Sequence, residues 1–378
     1  MKKICYFINS DWYFDLHWID RVIATQKEGF EIHVITNFLD DNLVYKFNKL
    51  GFICHNSTMD SQSMNPISFL RSACKIFYLL HKIDADIIHC ITIKPCLIGG
   101  FFGRFFNKNV IISFVGLGRV FSKSNRKLNI ISKIVIPFYK YMFNNTKCLI
   151  SFEHERDKEN LITITNMPLE RTVVIDGAGV DVDKYPYTPE VIGDVPVILF
   201  ASRLLKSKGL ADLIASKKIL ESRNIYFRLD VAGIPVPGDA DGIDISLLNK
   251  WSSEGVINWL GQCHDIARLI IDANIVALPS VYSEGVPRIL LEAASVGRPI
   301  VAYDVGGCNS LIIDAENGYL IDRSNIDVLS NKLESLILDP ELRQTMGRNG
   351  RNLVENKFSS LIILSKTLQM YRYSLALH

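Results

Sequence analysis

Short apolar runs alternate with amphipathic segments along most of this chain, and this alternation constrains the fold more than any other feature. The apolar runs of the first half cover residues 3–8, 31–36, 53–55, 87–89, 110–114, 148–151 and 172–175. A helical segment over residues 18–27 lies between the first two runs and ends before Gly29. Nearly continuous apolar strands that alternate with helices predict a parallel sheet covered on both faces. The first half is therefore predicted to form one doubly wound, Rossmann-like α/β domain.

The alternation stops over residues 181–196, which contain three prolines, and we interpret this stretch as a linker. It resumes with strands predicted at 197–201, 226–232, 256–260, 275–278 and 299–303, and with helices at 209–223, 245–253, 265–272 and 288–296. The remainder is mostly helical, over 325–338, 340–358 and 361–373. A length of 378 residues is also typical of two domains.

We therefore predict a first domain over residues 1–185, a second over 186–358, and a C-terminal helix over 359–378 that packs back on the first. Two doubly wound domains that face each other place the carboxyl ends of both sheets at one cleft. Ligands of such sheets bind at those ends.

The stretch over residues 274–307 carries two glutamates in a strand, turn, helix, strand arrangement. Glu284 lies in the turn, and Glu292 lies in the helix eight positions later. The N–H groups of Gly285 and Val286 collect at the start of this helix and favour an anion there, whereas Pro287 contributes no N–H group. Two acids therefore flank a place suited to phosphate. The alternative is that one glutamate complements the helix dipole and the other lies on a solvated face.

A second motif opens the predicted second domain. A strand runs into Arg203, and a short polar loop then leads through Lys208 and Gly209 into a helix. Two cations five positions apart, next to a helix N-terminus, favour a diphosphate because cations and N–H dipoles act at one point. The alternative is a basic loop without a ligand.

The two motifs together resemble glycosyltransferase family 4. ASRLLKSKG at residues 201–209 is followed about eighty residues later by SEGVPRILLEAASVGRPIVAYDVGG at 283–307. The resemblance implies the GT-B fold, in which two Rossmann-like domains face each other across a cleft. It also implies that the second domain holds a nucleotide-diphosphate sugar and that the anomeric configuration is retained without a metal.

Four further segments resemble the subgroup that acts on undecaprenyl-diphosphate-linked saccharides in bacterial polysaccharide biosynthesis. They are INSDWYFDLHWIDRV at residues 8–22, HCITIKPCLIGGFFGRF at 89–105, ISFVGLGRVF at 112–121 and DGAGVDVDKY at 176–185. One position departs from many relatives, which have Arg after the histidine of the first segment, whereas here His17 is followed by Trp18.

The resemblance implies roles for the donor-side residues. Arg203 and Lys208 would stabilise the charge that develops on the leaving β-phosphate, which is the electrostatic contribution that usually dominates catalysis. Glu284, with the N–H groups of Gly285 and Val286, would orient the sugar, and Glu292 would accept the ribose hydroxyls. The resemblance implies that the departing phosphate takes the acceptor proton, so we assign no nucleophile to the enzyme.

The first domain supplies candidates for the acceptor and the donor phosphate. Gly116 and Gly118 follow a predicted strand and can bring backbone N–H groups to a phosphate, although such a pair is also typical of a plain tight turn. His17 and Lys94 are candidates for binding the acceptor. The alternatives are a loop histidine bonded to backbone and an ordinary surface lysine.

The charge distribution indicates a membrane partner. No acidic residue lies between Asp86 and Glu153. The cations of this segment are Lys94, Arg104, Lys108, Arg119, Lys123, Arg126, Lys127, Lys133, Lys140 and Lys147, interleaved with Phe101, Phe102, Phe105, Phe106, Phe121, Phe138, Tyr139, Tyr141 and Phe143. A basic, aromatic-rich surface suits an anionic membrane, with the alternative that the cations are scattered over several faces. We expect no nucleic acid because no nucleic-acid fold signature accompanies the charges.

Two observations bear on location and metals. The eight cysteines form no CxxC pair, which favours buried thiols in a reducing compartment, and no apolar run is long enough for a spanning helix. We expect a cytoplasmic protein that is peripheral at the inner face of the membrane. The acidic groups at 181–183 and 239–244 lack the full spacing of a calcium loop, so we expect no metal.

We therefore expect a hexosyltransferase that transfers a hexose or N-acetylhexosamine from a UDP-sugar to a lipid-diphosphate-linked saccharide, as in O-antigen or other surface polysaccharide assembly. The alternatives are a nucleotide-sugar epimerase or a phosphorylase on the same fold, or a non-catalytic nucleotide-sugar-binding protein. An epimerase would act without an acceptor.

Overall fold

The chain forms two compact units, and the computed structural model describes residues 1–59, 65–116, 126–236, 238–282 and 285–377. The first unit consists of Met1–Ala178 together with the chain from Ile363 onward, and the second of Gly179–Ile362. The predicted boundary between the domains lies after residue 185, whereas in the structure residues 179–185 lie with the second unit. Their backbone is bonded there, since the Val180 N–H donates to the Phe358 carbonyl at 2.9 Å.

The described part of the first unit contains a seven-stranded sheet with the order β3-β2-β1-β4-β5-β6-β7, and every neighbouring pair is parallel. The strands are β1 (Lys3–Phe7), β2 (Glu31–Thr36), β3 (Ile53–Asn56), β4 (Ile87–Ile91), β5 (Asn109–Phe114), β6 (Cys148–Phe152) and β7 (Thr172–Val174). The helices are α1 (Asp11–His17), α2 (Ile19–Lys27), α3 (Asp41–Lys49), α4 (Pro66–Ile83), α5 (Ile93–Phe105), α6 (Arg126–Phe143) and α7 (Glu155–Thr165).

The second unit has, in its described residues, a six-stranded parallel sheet with the order β10-β9-β8-β11-β12-β13. Its strands are β8 (Val197–Ala201), β9 (Arg228–Ala232), β10 (Asn258–Gly261), β11 (Ile275–Leu278), β12 (Ile300–Tyr303) and β13 (Gly318–Ile321). The remaining helices are α8 (Leu210–Ser222), α9 (Ile245–Ser253), α10 (Ile266–Asp272), α11 (Arg288–Val296), α12 (Cys308–Leu311), α13 (Ile326–Leu338), α14 (Pro340–Leu353) and α15 (Ser360–Ala376).

Both faces of the first sheet are covered. Successive side chains of a strand point to opposite faces, so two neighbouring residues of β1 show what packs on each face. Tyr6 of β1 belongs to one buried cluster with Trp18 and with Tyr371 of α15. Phe7 belongs to a second cluster with Ile76 of α4 and Met142 of α6. The predicted doubly wound α/β class is therefore confirmed, and most predicted strands and helices lie within two residues of the observed ones.

Residues 181–196 are irregular, as their prolines indicate, but their interpretation as a linker is wrong. The Ser295 hydroxyl donates to the Tyr185 carbonyl at 2.7 Å, and the Arg298 guanidinium donates to the Thr188 carbonyl at 2.6 Å. Glu190 forms a buried ion pair with Arg343 at 2.9 Å. This stretch is therefore a strap fixed along the second unit.

The predicted basic, aromatic segment is divided between surface and core. Tyr139 and Phe143 are buried against the first sheet, so the expectation that they belong to a surface is wrong. Phe101, Phe105, Phe138 and Tyr141 are exposed. None of the helices in the described part of the chain is both long and apolar enough to cross a membrane.

Candidate active site

The strand order of the second sheet reverses between β8 and β11, and most of the predicted donor-side residues follow these two strands. In an open parallel sheet the loops at such a reversal diverge to opposite faces and leave a crevice between them, where ligands bind. Arg203 and Lys208 follow β8, and the turn before α11 follows β11. The topology therefore brings together two motifs that are about eighty residues apart in sequence.

The turn after β8 has a defined backbone conformation. The Leu204 N–H donates to the Ile234 carbonyl at 3.2 Å, and the Lys206 N–H donates to the Asp241 carbonyl at 2.7 Å. A single 3₁₀ turn over Lys206–Lys208 follows, and Gly209 then enters α8 with φ of 84°. This conformation is strained for any residue with a Cβ atom, which explains glycine at this position.

The loop after β11 is locked against this turn. The Val281 N–H donates to the Ser207 carbonyl at 2.8 Å, and the Ser280 hydroxyl donates to the same carbonyl at 3.3 Å. A Cβ atom at Gly209 would lie 2.0 Å from the carbonyl oxygen of Pro279. Sequence reasoning missed these contacts, although the glycine after the lysine is their visible signal. The two loops therefore form one rigid surface at the reversal point.

Arg203 and Lys208 differ in their surroundings. Arg203 is exposed, and within the described residues its side chain has no hydrogen-bonding or ionic partner. Lys208 is only 7% exposed. A buried ammonium group is costly unless acceptors or a negative charge lie beside it. The turn therefore offers one solvated guanidinium and one sheltered ammonium group at the reversal point.

Pro287 caps α11 with φ of −65°, and the predicted helix over Arg288–Val296 has the observed bounds. Gly285 and Val286 are buried and lie against Gly307, where an added Cβ would be 2.8 Å from the Val286 nitrogen. Gly307 is a further residue that sequence reasoning did not assign, and its signal is the glycine pair after β12. Glu284 lies outside the described residues, so its predicted role stays a prediction.

Glu292 lies on the buried side of α11, with an exposure of 6%. The Arg288 Nε donates to the Glu292 carboxylate at 2.9 Å, one helical turn earlier. Burial raises the pKa of the Tyr185 hydroxyl, and the adjacent Glu292 carboxylate raises it further by its charge and its hydrogen bond. The carboxylate expected to bind ribose is therefore positioned by Arg288 and Tyr185, neither of which sequence reasoning assigned.

The two acidic groups, at residues 181–183 and 239–244, bond to the protein itself. Asp181 accepts from the backbone N–H groups of Asp183 and Lys184, and Asp244 caps α9 by accepting from the Ser246 N–H. Asp241 lies in the loop after β9 and accepts a hydrogen bond from the Ser207 hydroxyl. This bond ties that loop to the turn after β8 that carries Arg203 and Lys208, which we call the cationic turn. Among the described residues no group of three or more metal-ligating side chains is assembled.

The first sheet also reverses its order, between β1 and β4, and both predicted acceptor-side residues follow these strands. His17 ends α1, partly exposed, with its ring centroid 4.3 Å from that of Tyr13. Asp11 holds this segment in place, since its buried carboxylate accepts from the Leu39 N–H at 2.7 Å and from the Asp40 N–H at 3.1 Å.

Lys94 is the second residue of α5 and is partly exposed. Thr92 precedes the helix with φ of 73° and ψ of 161°, a conformation that strains a β-branched residue and that no sequence signal indicates. Gly116 follows β5 with φ of 116°, as a glycine turn requires, and Gly118 lies outside the described residues.

Known proteins resemble this chain over nearly its whole length. Residues 3–153 match the family model described as Glycosyl transferase 4-like, and residues 185–353 match the one described as Glycosyl transferases group 1. The chain is 24% identical over 328 residues to the N,N'-diacetylbacillosaminyl-diphospho-undecaprenol alpha-1,3-N-acetylgalactosaminyltransferase of Campylobacter jejuni, which covers 83% of each chain. It is 25% identical over 328 residues to the UDP-Gal:alpha-D-GlcNAc-diphosphoundecaprenol alpha-1,3-galactosyltransferase of Escherichia coli, covering 81% of this chain and 80% of the relative.

The fold is also that of solved structures. HepE from Anabaena, crystallised in complex with UDP and glucose, superposes with a TM-score of 0.77 over 99% of this chain and 100% of its own, at 18% identity. One family model matches most of the first unit, up to the end of β6, and the other matches most of the second unit. This chain therefore has the GT-B fold and belongs to glycosyltransferase family 4.

Proposed function

We propose that this enzyme transfers a hexose or N-acetylhexosamine from a UDP-sugar, with retention of anomeric configuration, to a saccharide linked through diphosphate to a lipid. The observation that carries the proposal is the interlocking of the cationic turn after β8 with the loop after β11 at the reversal point of the second sheet. That arrangement presents Arg203 and Lys208 at the carboxyl edge of the sheet, where a nucleotide diphosphate is expected.

Arg203 and Lys208 act on the leaving group. As the bond between the sugar and the β-phosphate lengthens, negative charge grows on the phosphate and the anomeric carbon becomes cationic. A guanidinium and a sheltered ammonium group that are already in place stabilise this charge without reorganisation, which is the most effective form of electrostatic catalysis. The departing phosphate takes the acceptor proton, so the new bond forms on the face that the UDP leaves.

The remaining donor-side residues hold the substrate. Glu284 and the N–H groups of Gly285 and Val286 orient the sugar hydroxyls, and Glu292 accepts the ribose hydroxyls from the position that Arg288 and Tyr185 define. The choice of UDP is supported by the Escherichia coli relative, whose name specifies UDP-Gal, and by HepE, which was crystallised with UDP.

The first unit binds the acceptor. His17 and Lys94 follow the two strands at the reversal point of its sheet, and Gly116 and Gly118 follow β5. The lipid-diphosphate acceptor class is supported by the two relatives, whose names specify undecaprenol-diphosphate saccharides. Such an acceptor is anchored in a bilayer, so the enzyme works at the cytoplasmic membrane surface, in surface polysaccharide assembly.

Incubation of the purified enzyme with a panel of labelled UDP-sugars and a lipid-diphosphate-linked N-acetylhexosamine tests this function. We expect one UDP-sugar to yield a lipid-linked disaccharide whose new bond keeps the donor's α configuration, with the same rate in the presence of a chelator. UDP-sugar conversion without acceptor would instead indicate an epimerase. A requirement for added divalent metal would contradict the metal-free mechanism.

A further inference from the structure

The outer side of α4 carries apolar side chains where a soluble helix usually presents polar ones. Leu70 is 65% exposed and Tyr78 is 60% exposed, and Ile67 lies on the same side one turn before Leu70. Helix α4 lies outside the segment that the sequence analysis identified as basic and aromatic. A contiguous exposed apolar surface of this kind marks a contact site.

Aromatic rings extend this surface across α5 and onto α6. The ring of Phe77 in α4 lies 5.1 Å from that of Phe102 and 6.0 Å from that of Phe105, measured between centroids. Phe101 in α5 lies 6.2 Å from Phe138 of α6. Three neighbouring helices therefore share one exposed aromatic ridge, which we call the α4–α6 face.

The three helices that form this ridge carry charge of one sign. The sequences of α4, α5 and α6 contain no aspartate or glutamate. Arg71 and Lys75 are exposed on α4, and the Arg104 guanidinium lies 3.8 Å from the ring centroid of Tyr141. Asp84, which follows α4, forms an ion pair with Lys108 at 2.6 Å. Apolar side chains surrounded by cations are complementary to a surface with an apolar interior and an anionic boundary.

We propose that the α4–α6 face docks on an anionic lipid bilayer, with Leu70, Tyr78 and Phe105 at the boundary between headgroups and acyl chains. The inference rests on the proposed function only for the identity of the membrane, the one that holds the lipid-linked acceptor. A second copy of the chain fits less well, because a two-fold dimer would place this cationic face against itself. Aromatic residues and cations are the side chains that favour the membrane interface.

Flotation with vesicles of phosphatidylcholine and phosphatidylglycerol tests the apolar contribution. The variant Leu70→Gln/Tyr78→Gln is compared with Leu338→Gln/Tyr226→Gln, which changes the same residue types at 62% and 59% exposure in the second unit. We expect the first variant to lower partitioning about tenfold or more and the second to leave it unchanged. Equal partitioning of the two variants, or no binding by the wild type, would overturn the proposal.

The cationic contribution is tested with Arg71→Gln/Lys75→Gln. Each cation near an anionic surface contributes about 1 kcal/mol, so the expected loss is about thirtyfold, and it should shrink as salt is added. A loss that does not depend on salt would contradict the electrostatic part of the proposal.

Cys74 provides a direct readout because it is the exposed cysteine on α4, whereas Cys5, Cys90, Cys96, Cys148 and Cys308 are buried and Cys54 and Cys263 are partly buried. An environment-sensitive fluorophore at Cys74 should shift to the blue on addition of vesicles and become protected from an aqueous quencher. An unchanged spectrum would overturn the proposal. The proposal would also be overturned if light scattering showed that the wild type is a dimer and that Leu70→Gln/Tyr78→Gln is a monomer, because the face would then be a dimer interface.

Transfer to a water-soluble, short-chain acceptor separates this inference from the proposed function. We expect Leu70→Gln/Tyr78→Gln to keep wild-type rates with that acceptor and to lose rate with vesicle-embedded acceptor. If transfer occurs but vesicle binding does not depend on these residues, the docking face is wrong and the function stands. If vesicle binding depends on them but no acceptor is glycosylated, the function is wrong and the face stands.

Discussion

Gly209 packs directly beneath the backbone of Pro279: a Cβ atom at position 209 would lie 2.0 Å from the Pro279 carbonyl oxygen. Gly209 also has φ of 84°, so an alanine there meets both backbone strain and a clash that no side-chain movement relieves. We expect Gly209→Ala to lower the free energy of unfolding of the second unit by about 3 kcal/mol and to weaken UDP binding.

The control for that change is Gly255→Ala. Gly255 has φ of 69°, but nothing lies within 4 Å of an added Cβ, so only the backbone strain applies. We expect a loss of about 1 kcal/mol in urea unfolding, with UDP affinity unchanged. Equal losses for the two variants would show that the contact with Pro279 does not determine the conformation of the cationic turn.

Lys208→Met tests the leaving-group assignment while keeping the volume of a buried side chain. Loss of one preorganised cation at the developing charge should lower kcat by about a hundredfold or more, since comparable catalytic donors have effects of that size. Lys206→Met is the matched control, because Lys206 lies in the same 3₁₀ turn but is exposed. Steady-state kinetics with saturating UDP-sugar and acceptor measure kcat for both variants. Similar kcat values for the two would contradict the assignment.

The sequence predicts much of this fold because buried parallel strands are continuous apolar runs. The strand Val197–Ala201 and the helix Arg288–Val296 have the predicted bounds, and Gly297 ends that helix as expected. The sequence does not predict the strand Gly318–Ile321, because a four-residue strand that begins with glycine has little propensity signal. Its position depends on tertiary pairing with β12.

The candidate site was predictable as a pair of loops but not in its supporting contacts. Motif order places Arg203 and Lys208 near the turn before α11, since both follow strands of one sheet. The two partners of Glu292 lie at very different separations along the sequence. Arg288 is four residues away and is recognisable as a helical pair, whereas Tyr185 is more than one hundred residues away. Contacts of the second kind depend on the folded chain and leave no local pattern.

Glu292→Gln tests whether this carboxylate binds the donor or transfers a proton. Because its proposed role is to accept ribose hydroxyls, we expect KM for the UDP-sugar to rise about tenfold while kcat changes little. The pH dependence of kcat should keep the wild-type shape. A displaced pH profile, or a loss confined to kcat, would indicate acid–base chemistry at this residue instead.

Glu190→Gln tests the buried ion network of the strap. Glu190 pairs with Arg343 at 2.9 Å, both side chains are almost fully buried, and the charge of Glu190 also stabilises the buried Arg298 guanidinium. Removal of the anion takes the ion-pair partner from buried Arg343 and one of the negative charges beside buried Arg298, so we expect a loss of about 3–5 kcal/mol in urea unfolding. Glu334→Gln, which breaks the partly exposed pair with Arg223, should cost less than about 1 kcal/mol.

His89 makes the first unit sensitive to acid. The imidazole is fully buried, with Nδ1 2.9 Å from the Tyr371 hydroxyl and Nε2 2.7 Å from the Ser113 hydroxyl. Burial, and secondarily the charge of Arg21, lowers the pKa of His89 from 6.5 to about 3. Between these values the unfolded chain binds a proton that the folded chain does not. The stabilisation is therefore complete above pH 6.5 and is lost as the pH falls toward 3.

Between pH 6.5 and about 3, we expect His89 alone to lower the free energy of unfolding of the wild type by about 1.4 kcal/mol for each unit by which the pH falls. Burial also lowers the pKa of His55, to about 4, so this residue adds to the loss of stability in acid. The readout is therefore the difference from His89→Gln, which should have a slope shallower by about one proton. Trp18 lies 5.0 Å from His89 between ring centroids, so its fluorescence can follow urea unfolding at each pH.

Tyr371→Phe is the control: it removes a hydrogen bond but keeps the titrating group, so it should lower stability and retain the wild-type slope. Equal slopes for the wild type and His89→Gln would show that His89 is not the acid-sensitive group.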